Sequence, residues 1–123
     1  MTLRNIRLRK VKNMTKSIQY EVRDRIATVT INRPERRNAM TSAMNKEFHK
    51  KIREAGEDDS VQVIIVTGAG GSFCSGTDLS DLDQQSSEDQ VKEADAMERS
   101  EIFWPILHNP KPIIAAIDGY AVG

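Results

Sequence analysis

An α/β layer fold follows from three observations on the sequence. Two segments of alternating apolar and polar residues come first, and a helical stripe and an apolar, β-branched run, Val61 to Val66, follow. A second helical segment and a second such run, Ile113 to Ile117, complete the chain's apolar pattern. Each run exits into a glycine-containing turn. The order strand, helix, strand, helix, strand is that of a layered α/β structure.

The alternation of Ile18, Tyr20 and Val22, then of Ala27, Val29 and Ile31 after Arg23-Asp24-Arg25, reads as a β-hairpin. Pro34 ends the second strand, because it has no amide hydrogen and pushes Arg33 out of the helical region. After a loop through Asn38, Thr41 or Ser42 can cap a helix with the stripe Met40, Met44, Phe48, Ile52 and Ala55, and Gly56 is placed to end it. Val61 to Val66 predicts a strand buried on both faces, as in a parallel sheet covered by helices. Residues 80–90 are polar and predict a loop or lid. Residues 91–107 predict a helix that Pro105 ends or kinks. Ile113 to Ile117 is the second expected buried strand.

The 123 residues suit one domain, and no apolar run approaches the roughly 20 residues a bilayer span needs. Hydrophobic residues at 38% and charged residues at 29% match a globular composition rather than a disordered one. Eighteen basic and eighteen acidic residues cancel, which leaves no overall field for a polyanion; DNA is excluded as a partner and RNA is not expected. One cysteine, Cys74, rules out an internal disulfide and fits a reducing compartment or an organelle matrix. Arg4, Arg7, Arg9, Lys10, Lys12 and Lys16 precede the first acid, Glu21. That basic leader has three readings: a mitochondrial transit peptide; a plain basic tail, or an over-extended gene model whose true start is Met14; or an RNA-touching arm; the second stands at least level with the transit peptide and the arm comes last.

Two segments invite chemistry. Phe73-Cys74-Ser75-Gly76-Thr77-Asp78-Leu79 and Asp118 to Gly123 each follow an expected strand, where α/β sheets bind ligands and backbone amides meet polarised oxygen. Two such amides on one oxygen make an oxyanion hole, worth about 3 to 4 kcal/mol per donor. Taken singly, either turn is more simply a tight connection.

Together with Asn32-Arg33-Pro34-Glu35-Arg36-Arg37-Asn38-Ala39-Met40, and with Pro110 onward to Gly123, these strings resemble the enoyl-CoA hydratase/isomerase, or crotonase, family in order and spacing. The resemblance implies a crotonase-like ββα spiral, truncated after the second glycine segment. Residues 1–16 would be a basic leader or disordered tail, and 17–123 the amino-terminal part of the domain. It also implies a trimeric or hexameric full-length protein that binds an acyl-CoA thioester as substrate, with no further cofactor, in a mitochondrial or peroxisomal setting ahead of a cytoplasmic one.

By position, the resemblance makes the Thr77 amide the first oxyanion donor, after Ser75-Gly76, and places the second donor just past Gly123. Arg36, Arg37 and Ala39 fall on the loop that faces the CoA nucleotide, where guanidinium groups would bind phosphate; solvated surface arginines are the plain alternative. Asn38 is expected to fix the loop. Asp78 reads as a helix cap beside the substrate, and Leu79, with Phe73 and Leu82, as acyl-pocket lining or simply core. The family's acid and base carboxylates lie beyond the second glycine segment, so no acid here inherits the role and the chain as given is expected to be inactive alone. Ser75 and the polar stretch after Leu79 lean slightly to the isomerase branch.

Other signals fail on spacing. Gly68-Ala69-Gly70-Gly71 lacks the third glycine of a dinucleotide turn, and Ser75 lacks the frame of a nucleophile elbow. Cys74 with His49 or His108 has no dyad spacing, and two distant histidines make no metal site. Two further functions stay open: a non-catalytic acyl-CoA-binding or interaction module, and an inert truncated product.

Overall fold

The computed structural model describes residues 16–82 and 103–123. The hairpin forms as expected, with β1 (Ile18–Arg23) antiparallel to β2 (Ile26–Ile31). Its two-residue connection is Asp24-Arg25, both with positive φ (51° and 65°). That backbone is the one whose twist matches two right-twisted strands, so these two residues accept left-handed conformations. The register pairs Ile18 with Ile31, Tyr20 with Val29 and Val22 with Ala27, which puts the apolar set on one face.

After a 3-10 turn at Pro34–Arg36 comes α1 (Ser42–Glu57), capped by Thr41, whose hydroxyl accepts the Met44 amide at 3.2 Å. Helix α1 crosses back to β3 (Val63–Gly68), which pairs parallel with β2, and β4 (Ile113–Ala116) pairs parallel with β3. A short helix, α2 (Leu79–Leu82), leaves the first glycine segment. The four strands lie in chain order, β1-β2-β3-β4. The core is the layer between sheet and helix: Ile18, Ala27, Val29, Ile31, Ile64 and Val66 against Met44, Ile52 and Ala55.

Several expectations change. First, Gly56 lies inside α1 rather than after it, and Asp58 is the C-cap. The helix runs on because its last carbonyls find donors outside it. Asn109 Nδ2 donates to Ile52 O at 3.1 Å, and Lys111 Nζ donates to Ala55 O at 2.8 Å and to Asp58 O. A Cβ on Gly56 would lie 2.8 Å from Asn109 Nδ2, so a larger residue there would have to displace the Asn109 side chain that holds Ile52 O. Second, His49 joins the buried stripe while Phe48 is only partly buried.

Third, the buried strands are less buried than a two-sided parallel sheet requires. In β3 only Ile64 and Val66 are buried, and Val63 and Ile65 are half-buried. In β4 Ile113 is half-buried and Ile114 is 54% exposed. Among the described residues α1 covers one face of the sheet, and β4 is its outer strand, so apolar runs that signal burial stand partly open. The lid over 80–90 and the helix over 91–107 lie outside the described residues except at 80–82 and 103–107. Residues 103–107 are helical through Pro105. The turn below it holds because a proline removes only its own donor, and His108 N reaches Trp104 O at 2.9 Å.

Two outcomes follow from α1. Lys111→Met removes a charged donor from the helix's carboxyl end, and is expected to lower the unfolding free energy by about 1 to 3 kcal/mol. A urea midpoint unchanged from the parent would contradict the clamp. His49 is buried, its Nδ1 lacks a partner among the described residues, and burial first, then the nearby Arg53, lowers its pKa from 6.5. The unfolded chain therefore takes up the proton first. Stability is full above the ordinary value of 6.5 and is lost as pH falls toward the depressed folded value. The urea midpoint should drop from about pH 7 to about pH 5 more steeply in the parent than in His49→Leu; equal slopes would remove His49 as the cause.

Candidate active site

The site is assembled around a turn that the sequence makes tight. Pro34 starts the 3-10 turn, and four backbone bonds close it: Arg36 N and Asn38 N to Arg33 O, Arg37 N to Pro34 O, and Ala39 N to Arg36 O. Arg37 and Asn38 then sit at φ 50° and 58°. Asn tolerates that region; an arginine there is held by its surroundings. The hold is Asn38, whose side chain is wholly buried. Its Oδ1 accepts from Arg33 N at 2.7 Å, and its Nδ2 donates to Ala69 O at 2.9 Å and Ser72 O at 2.7 Å. The side chain thus ties the arginine loop to the glycine turn after β3.

The two glycine segments lie side by side. Phe73 N and Cys74 N both donate to Tyr120 O, at 3.0 and 2.8 Å, and Val122 N donates to Cys74 O at 2.9 Å. Cys74 and Ala121 form a parallel bridge. Gly76 has φ +107°, and a Cβ on it would lie 2.5 Å from Gly123 O. Only glycine permits that approach.

On the other side the segment pairs with Met40. Met40 N donates to Gly76 O at 2.8 Å and Asp78 N donates to Met40 O at 2.9 Å. A trans peptide points its C=O and N–H in opposite directions, so the Thr77 N–H faces away from Met40. Among the described residues it has no acceptor, and Thr77 is exposed.

Ser75 is half-buried and bound to the arginine loop, its N donating to Arg37 O at 3.0 Å and its Oγ to Arg36 O at 3.4 Å. Ala39 is half-buried; Arg36 and Arg37 are exposed, and neither has an acidic partner among the described residues. The Arg37 guanidinium lies 5.9 Å from the centre of the Tyr120 ring. Leu79 is 76% exposed on α2. Asp78 caps α2, its Oδ1 accepting from Ser80 N at 2.9 Å and Ser80 Oγ at 2.6 Å, while Oδ2 accepts from Arg33 Nη1. The Ser80 hydroxyl first, then Arg33 and the Ser80 amide, hold its carboxyl well below the usual carboxylate range.

Cys74 Sγ accepts from Gly76 N at 3.3 Å rather than from a histidine. Sequence reading missed the partner of Arg33, which it used only as the residue before proline. The two ends of that pair are 45 positions apart, and no local spacing reports it. Tyr120, brought against Arg37 by the pairing of the glycine segments, was likewise invisible.

A sequence profile of the enoyl-CoA hydratase/isomerase family matches residues 21–123. The chain is 41% identical over 98 residues to a probable peroxisomal enoyl-CoA hydratase 1 of Arabidopsis thaliana, covering 79% of this chain and 35% of that protein. It is 31% identical over 114 residues to the 1,2-epoxyphenylacetyl-CoA isomerase of Escherichia coli K12, covering 89% and 43%. A solved enoyl-CoA hydratase/isomerase from Xanthobacter autotrophicus Py2 superposes with a TM-score of 0.76 at 33% identity, over 85% of this chain and 39% of that one. The chain spans about two-fifths of the length of such relatives. The profile match over residues 21–123, and a crotonase-type α/β arrangement shared with the solved neighbours, place the chain in the enoyl-CoA hydratase/isomerase family.

Proposed function

We propose that the protein handles acyl-CoA thioesters, with the Thr77 backbone N–H as one of two donors that polarise the thioester carbonyl. The reaction class is enoyl-CoA hydration or Δ3,Δ2-enoyl-CoA isomerisation in fatty-acid oxidation. The observation that carries this reading is the Thr77 amide itself. Its neighbours on both sides are bonded to Met40, and among the described residues it stands without an acceptor where two glycine segments meet. In either reaction the carbonyl oxygen gains negative charge as a proton is lost or water adds, and a fixed N–H stabilises that charge by about 3 to 4 kcal/mol. The approach of Gly76 to Gly123 supports a second donor supplied from just past Gly123.

Proton transfer needs a carboxyl group as well, and Asp78 is unsuited to it. Its oxygens are committed to Ser80 and Arg33, and its carboxyl is held ionised. The named location of the Arabidopsis relative favours a peroxisomal setting over a mitochondrial one. Arg36 and Arg37, exposed and without acidic partners among the described residues, suit the phosphates of the CoA nucleotide.

In a 15N-labelled sample, a short enoyl-CoA thioester should displace the Thr77 amide resonance where free coenzyme A, which has no carbonyl, does not. An identical response to both ligands would sink the oxyanion role. Arg36→Ala combined with Arg37→Ala should weaken free coenzyme A binding by about 1 to 3 kcal/mol in calorimetry. A dissociation constant equal to the parent's would return both arginines to plain surface.

A further inference from the structure

The Thr77 amide can act only if its direction is fixed before a ligand arrives, so the question is what fixes it. Met40 supplies two bonds, one to each neighbouring peptide, but Met40 lies outside any named strand and belongs to an isolated bridge. A single bridge of two bonds is a weak anchor on its own. Arg33 crosses it. The Nη1 donates to Ala39 O at 3.2 Å, which is the carbonyl of the same peptide whose N–H, on Met40, holds Gly76 O. The same Nη1 donates to Asp78 Oδ2 on the facing segment, one residue past Thr77.

Arg33 is itself immobilised. Its N–H donates to the buried Asn38 side chain, and its carbonyl accepts from Arg36 and Asn38. The Arg33 and Asp78 side chains are 21% and 12% exposed, so water screens the pair far less than a surface pair.

We propose that Arg33 and Asp78 are positioning residues: their ion pair braces the Met40 bridge and so sets the direction of the Thr77 N–H toward a thioester oxygen. This rests on the oxyanion reading of Thr77. A continuous set of bonds runs from Asn38 through Arg33 to the peptides on both sides of Thr77. Loss of the brace leaves the amide in place yet free to turn. The expected consequence is selective: the thioester carbonyl loses its donor, while the arginine loop, held separately by Asn38 and by the 3-10 turn, keeps its grip on the nucleotide.

The test compares 15N spectra of parent and variant proteins with a short enoyl-CoA thioester and with free coenzyme A. Arg33→Met should lose the thioester-specific displacement of the Thr77 amide and retain the displacements both ligands cause at Arg36 and Arg37. Arg33→Lys, which restores the charge with a single-point donor, should recover part of it. Asp78→Asn keeps the acceptor for Ser80 and removes the charge, and should repeat the loss; it decides the matter if Arg33→Met does not fold. A folded Arg33→Met or Asp78→Asn whose Thr77 responds as the parent's does overturns the proposal. A parent protein whose Thr77 does not distinguish the two ligands removes the oxyanion reading, and the positioning role with it.

Discussion

The arrangement around Thr77 depends on one buried side-chain amide, that of Asn38. A primary amide out of water costs several kcal/mol unless its donors and acceptor are met. Here both donors and the oxygen are met, by Ala69 O, Ser72 O and Arg33 N. Those partners come from either side of α1 and β3, so the bonds form only when the loop after β2 and the turn after β3 occupy one relative position. A contact between apolar side chains would tolerate sliding by an ångström; these bonds do not. Asn38 thereby fixes the register between the arginine loop and the first glycine segment, and every further pairing at the site, from Met40 to Tyr120, is built on that register.

The left-handed residues divide by cause. Asp24 and Arg25 lie at the hairpin, far from the glycine segments in the sheet's register, and their positive φ is what a two-residue turn demands. Arg37, Asn38 and Gly76 lie where three segments converge, and no turn type requires them together. Their cost, of order 1 kcal/mol or more for a non-glycine residue, is met by the bonds from Asn38 and from Ser75 N to Arg37 O. The result is an N–H at Thr77 that no acceptor among the described residues consumes. A backbone amide left open at a crowded junction is uncommon, because folding normally satisfies such groups; here the neighbouring peptides are satisfied and the open one faces out.

Much of this was legible in the sequence, for identifiable reasons. Period-two alternation located both strands of the hairpin to within one residue, and of the two caps offered, Thr41 and Ser42, it is Thr41 that starts α1, because its hydroxyl has a local partner three positions on. The glycine segments and the arginine loop were found because each is a contiguous string. What failed was non-local. Gly56 looked like a stop, yet Asn109 and Lys111, more than fifty positions away, supply the donors that carry α1 past it. Ile113 to Ile117 has a composition that signals burial, yet Ile114 is 54% exposed, because among the described residues no element covers the outer edge of β4. The Arg33–Asp78 pair joins two strings that sequence reading treated separately.

The charges around the site are sorted by what they would face. Arg33, nearest the Thr77 segment, is neutralised by Asp78, whereas Arg36 and Arg37 have no acidic partner among the described residues. A thioester carries no formal charge, and its oxygen is best met by a dipole of fixed direction; a bare guanidinium beside it would equally attract a phosphate and hold the ligand in the wrong register. A nucleotide carries several charges, and there unpaired guanidinium groups gain the most. Pairing Arg33 with Asp78 therefore does two things at once: it links the peptide before Met40 to the segment that carries Thr77, and it leaves Arg36 and Arg37 as the guanidinium groups of this loop without an acidic partner among the described residues. The partition suits a ligand with a charged head and a neutral reactive group, bound in one orientation.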